Sequence, residues 1–143
     1  MAGGEQEPGD SQIPFALSMI VCDAVHIDEG SGKAFILGCF SSIRAETFPA
    51  KHPRMTVFAE VTDCRGKTPF SLRVIDVDER HEPLVEATAE VYTMDPLEIR
   101  MLVLPLEDMV FPEPGEYRIQ LASGDAPLME RRLLLTPPGE TIG

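Results

Sequence analysis

Tryptophan is absent from the 143 residues, lysine occurs only at Lys33, Lys51 and Lys67, and no apolar run approaches the roughly 18 residues needed to span a bilayer. Each shortage narrows the field. Without tryptophan, and without two cysteines at immunoglobulin spacing, an antibody-type ancestry is not indicated. Twelve basic residues against 24 acidic ones leave a net charge of −12. Such a surface repels phosphate backbones and anionic lipid, so neither nucleic acid nor membrane insertion is expected. It favours solubility, and a basic protein partner or a cation.

Cysteine is scarce as well. Cys22, Cys39 and Cys64 form neither an even set nor a C-x-x-C motif, which reads as free thiols in a reducing compartment. Residues 1–10 carry Glu5, Glu7 and Asp10 but no lysine, arginine or apolar core, so they do not read as a signal peptide. A cytoplasmic location is the expectation. G-x-S-x-G, P-loop, G-x-G-x-x-G and H-E-x-x-H motifs are all missing. His26, His52 and His81 fall in separate turns or strands without zinc-type spacing. Neither catalysis nor a cofactor is expected.

What the chain does contain is alternation. The length suits one domain, expected over residues 14–136, with polar, glycine- and proline-rich tails at 1–13 and 137–143. Strands are predicted near 15–27, 34–46, 55–62, 70–77, 84–93, 97–106, 116–122 and 127–136, separated by glycine or proline turns. The segment 97–106 carries two signals. Asp95-Pro96-x-Glu98 resembles a helix start, whereas Leu97, Ile99, Met101 and Val103 alternate with polar residues, and Pro105 would interrupt a helix; strand is the reading taken. The expected fold is an all-β antiparallel sandwich, immunoglobulin-like or C2-like, of seven or eight strands with Greek-key connections. The stretch Phe111-Pro112-Glu113-Pro114-Gly115-Glu116-Tyr117 reads as a tight corner feeding a strand, with the Tyr117 hydroxyl placed to bond back to the corner as in a tyrosine corner.

Cys22-Asp23 after an apolar run, Gly32-Lys33, Ile36-Leu37-Gly38-x-Phe40, Phe48-Pro49 and Phe111-Pro112-x-Pro114-Gly115-x-Tyr117 together resemble a family of small bacterial proteins known only as a domain of unknown function. The resemblance spans nearly the whole chain between the tails. It implies the β-sandwich and brings neither an activity nor catalytic residues.

Three groups of residues are candidate sites. A first hairpin turning between Gly30 and Ser31 sets Cys22 opposite Cys39 and Asp23 opposite Gly38. The thiols then suit a redox pair, half of a metal site, or small filling side chains. Asp23 alternates with Val21, Val25 and Ile27, so it is expected toward the core, as a polar staple, a general base or a cation ligand. Asp76, Asp78, Glu79 and Glu82, with an acidic turn at Glu107, Asp108 and Glu113, resemble the aspartates by which C2 domains hold calcium; a solvated acidic rim is the alternative. The leading expectation is a non-catalytic protein-interaction module that binds through a sheet edge or loop end. An edge row of Val, Ile or Phe rather than lysine is expected, and the same edge would give a homodimer. A C2-like calcium-dependent binder is the alternative, and a thiol- or metal-dependent enzyme, with a depressed thiol pKa, the second alternative.

Overall fold

A computed structural model describes residues 13–139, so most of the two expected tails lies outside the described residues. Among the described residues nine strands follow one another and there is no helix. They are β1 (Phe15–Ile27), β2 (Ala34–Cys39), β3 (Ser42–Arg44), β4 (Ala50–Thr62), β5 (Gly66–Asp76), β6 (Val85–Thr93), β7 (Arg100–Phe111), β8 (Gly115–Ser123) and β9 (Ala126–Thr136). The all-β reading holds, and the strands form two sheets. One has four strands in the order β2-β1-β4-β7 and curls into a half-barrel; the other has five, in the order β3-β9-β8-β5-β6. All pairs are antiparallel except the short one between β3 and β9.

Alternation explains which side of each strand is buried. Val57, Ala59 and Val61 of β4 face inward beside Leu102, Leu104 and Leu106 of β7, and meet Phe70, Leu72, Ile119 and Leu133 from the other sheet. Burying each large aliphatic or aromatic side chain contributes about 1.5–3 kcal/mol. Cys64 joins this core from the β4–β5 turn. Arg131 reaches across the gap between the sheets and donates to the Met19 carbonyl at 3.1 Å.

Two expectations need correction, and the ambiguity at residues 97–106 resolves in favour of strand. The second predicted strand is two, because the chain leaves the first sheet after Cys39 and re-forms as β3 beside β9. The lysines Lys51 and Lys67, which the sequence places in turns, lie in strands, and Glu107 and Asp108 lie within β7; the acidic turn expected there is absorbed because residues 50–52 continue the pairing of β4 out to Phe111. The helix-start signature at Asp95 is a tight turn. The Asp95 carboxylate accepts the Leu97 N–H at 3.0 Å and its carbonyl accepts the Glu98 N–H at 3.0 Å, after which the alternation becomes β7. A short polar side chain that caps its own turn satisfies the same donors at a helix start or in an isolated turn.

Among the described residues, no helix is long and apolar enough to cross a membrane.

Candidate functional site

The two outer faces of the sandwich differ in kind. On the five-stranded sheet the register sets Glu86, Arg73, Gln120 and Glu130 in one row across four strands. Arg73 donates to Gln120 at 2.9 Å, Gln120 donates to Glu130 at 2.9 Å, and Arg118 donates to both Glu116 and Glu130. Those bonds hold the Arg118 guanidinium above its usual range and the Glu130 carboxyl below its own. A shallow groove of about 750 Å³ lies over this face. Its Arg73, Gln120 and Glu130 are already engaged with one another.

The four-stranded sheet presents the opposite surface. The register places Ile20, Phe58 and Val103 side by side on its outer face, with Ser18, Glu60 and Met101 in the next row. Further along β1, past Cys22, edge strand β2 sets Leu37 opposite Ala24 and Phe35 opposite His26. Phe58 is 4% exposed although it points away from the core, because its apolar neighbours on β1 and β7 close around it. Phe35 and Leu37 are each 52% exposed. Leu17, Met101 and Val103 are exposed as well. Charges on the same face are few and engaged: Glu60, in the row next to Phe58, accepts a bond from the Ser18 hydroxyl at 3.1 Å, and Arg54 stands opposite Glu107 in register. Exposed apolar side chains gathered on one face are a usual mark of a binding surface.

The edges repeat the contrast. Edge strand β6 carries Glu86 and Glu90 on its outer side, charges that discourage further strand pairing. Edge strand β2 carries Phe35, Leu37 and Cys39, with no charge among its six residues. β7, the other edge of the four-stranded sheet, shows Met101, Val103 and Pro105.

The residues singled out from sequence fall in three places. Cys22 does lie opposite Cys39. Cys22 is buried on the outer face, where its thiol approaches the Ala24 and Thr56 carbonyls at 3.5 Å, and Cys39 is exposed. Burial and the nearness of Cys39 push the Cys22 thiol up, the reverse of what an activated nucleophile needs. Asp23 is exposed rather than buried: the core ends before it, at Val21. Its carboxylate lies over Gly38, whose φ is +70°; a Cβ added there would fall 2.4 Å from Asp23 Oδ2. The glycine thus supplies both the left-handed backbone and the room. Asp23 also acts on His52, whose ring lies 6.0 Å from Phe40: burial lowers the His52 pKa, and the Asp23 charge opposes it only in part.

At the opposite side of the chain's acidic stretch, Asp76 is buried and turned into its own loop. Its Oδ2 accepts the Arg80 N–H at 3.0 Å and lies 3.3 Å from His81 Nδ1. Burial would raise the Asp76 carboxyl, but the bonds from Arg80 and His81 outweigh it and hold it below the ordinary value. Asp78, Glu79 and Glu82 are exposed. Arg80 bridges this turn to Glu113 at 3.1 Å, while Glu107 and Asp108 stand apart in β7. Among the described residues, no three His, Cys, Asp or Glu side chains gather as a metal site. Tyr117, fully buried, donates its hydroxyl to the Glu113 carbonyl at 2.6 Å and packs edge-on against Phe111 at 5.0 Å. Its place is architectural: it pins the β7–β8 corner.

Sequence reasoning missed Phe58, which alternation assigns to the outer face while burial alone would assign it to the core. The signal was available in Ile20 and Phe58, whereas the sequence sets Val103 with Leu97, Ile99 and Met101 as the apolar row of its strand; the structure turns that row outward and buries Leu102, Leu104 and Leu106 instead.

The chain belongs to the Family of unknown function (DUF6941), whose pattern matches residues 17–136. No curated protein matches it. The crystal structure of the C-terminal domain of wzt superposes with a TM-score of 0.50 at 10% identity, over 92% of this chain and 78% of that one, a likeness of fold alone.

Proposed function

We propose that this member of a family without assigned function is a non-catalytic interaction domain that binds another protein on the outer face of its four-stranded sheet, along edge strand β2. One observation carries the reading: Phe35 and Leu37 stand exposed on an uncharged edge of the sheet whose outer face also carries Ile20, Phe58 and Val103. Unpaired backbone groups at an edge add a strand at little structural cost, and alternate side chains then read the partner. The fitting occupant is an extended apolar segment flanked by basic residues. A net charge of −12 attracts such a partner and repels a second copy of the chain. The raised Cys22 thiol and the inward-turned Asp76 favour binding over catalysis. Within this reading the sandwich is immunoglobulin-like with Greek-key crossovers; the connections that switch sheets after β4, β6 and β7 and the corner at Tyr117 support it. The three unpaired cysteines favour a cytoplasmic setting.

The test compares three baits in host extract: wild type, F35E/L37E on the apolar face, and S71E/T88E on the polar face. A protein retained by wild type and S71E/T88E but lost from F35E/L37E is the expected result. Equal retention by all three baits, or loss only from S71E/T88E, overturns the reading. Sedimentation showing a dimer that F35E/L37E dissolves would replace the foreign partner by a second copy.

A further inference from the structure

We propose that Cys22 and Cys39 are an oxidisable pair that closes into an intrachain disulfide, with a low-molecular-weight disulfide such as oxidised glutathione as the oxidant. The argument rests on the phase of the β1–β2 ladder. The Val21 carbonyl accepts the Phe40 N–H at 3.0 Å, the bond that closes the ladder beside the facing residues Cys22 and Cys39. Pairs alternate along an antiparallel ladder, and one flanked by such a bond, as Cys22 with Cys39 is, is the non-hydrogen-bonded kind. At such pairs the Cα atoms approach to about 4.5 Å and the two side chains lean together on one face. Disulfides occupy Cα separations of roughly 4.4–6.8 Å, a range that includes the spacing of such pairs.

The two thiols differ in access, and that sets the order of events. Cys39 is exposed on the edge strand, and Cys22 is buried beneath it. The Cys39 thiolate attacks one sulfur of the small disulfide; a Cys39–S–S–R bond forms and one thiolate leaves. Cys22 then gives its proton to water and attacks the Cys39 sulfur. The protein disulfide forms, the second small thiolate leaves, and each departing thiolate takes up a proton. Two protein thiols lose two electrons, and one small disulfide becomes two thiols. Cys64 takes no part, because it is sealed in the core. The cross-link ties edge strand β2 covalently to β1, adding to the backbone ladder and the His26–Phe35 ring contact of the reduced chain. None of this depends on a binding partner.

The test treats the reduced full chain with oxidised glutathione and reads intact mass and peptide maps without reductant. The expected product is lighter by two hydrogens, joins the peptides of Cys22 and Cys39, and reverts with dithiothreitol. C22A is expected to stop at a lasting glutathione adduct on Cys39, and C39S to gain neither adduct nor cross-link. A wild-type chain that keeps the adduct on Cys39, or that dimerises through Cys39 instead, overturns the proposal.

Discussion

On the five-stranded sheet, Glu86, Arg73, Gln120 and Glu130 make a row of charge and amide that water and neighbouring side chains satisfy. On the four-stranded sheet the corresponding outer row is Ile20, Phe58 and Val103. Both faces close the same core, and the fold needs only one apolar side per sheet. Apolar residues on the second side therefore answer to something other than folding. The polar face shows how this chain finishes a surface meant for solvent, and the apolar face departs from that rule across three adjacent strands and an edge.

The sharpest way to break the comparison is to truncate its centre. Phe58→Ala is expected to lower the unfolding free energy by about 3 kcal/mol, read by denaturant titration, because large buried aromatics cost that much even where no core is involved. Arg73→Ala on the opposite face should leave the denaturant midpoint nearly unchanged, as exposed polar positions usually do. Similar losses at the two positions would erase the distinction between the faces.

Next in size comes the corner that both sheets share. Tyr117→Phe keeps the ring against Phe111 but leaves the Glu113 carbonyl without its 2.6 Å donor. A loss of about 1 kcal/mol is expected. It should be accompanied by faster amide exchange around Gly115 and no effect on either outer face.

A smaller effect is expected with pH. His52 has a folded pKa below its ordinary 6.5, chiefly through burial. Below 6.5 the unfolded chain therefore binds a proton that the folded chain resists, so stability is fully present above 6.5 and falls as pH drops through the folded value. The melting midpoint should decline on that acid side, and His52→Gln should flatten the decline. The smallest expected effect is none: millimolar calcium should leave the midpoint unmoved, since the Asp76 carboxylate serves its own loop.

Much of the fold was legible because period-two alternation and glycine or proline turns are local signals. The first hairpin was readable down to its register, since a turn at Gly30 and Ser31 fixes Cys22 opposite Cys39. The corner at Tyr117 was readable because proline, glycine and tyrosine are needed at fixed offsets there. The misreadings share a cause, which is that the deciding contact is distant in sequence. Asp23 is exposed because the inter-sheet core stops at Val21, and nothing near residue 23 reports that. The four-carboxylate calcium candidate dissolved because Asp76 bonds within its own loop, a choice of rotamer rather than of spacing. The apolar outer face emerged only once β1, β4 and β7 were laid side by side.

Site-specific photo-cross-linking in the native host tests the central claim most directly. A photoreactive side chain at residue 37 on the apolar edge is expected to trap one heavier species, which disappears when Phe35→Glu is added. The same probe at residue 88 on the polar face is expected to trap none. A cross-link that forms from residue 88 and not from residue 37 would contradict the account.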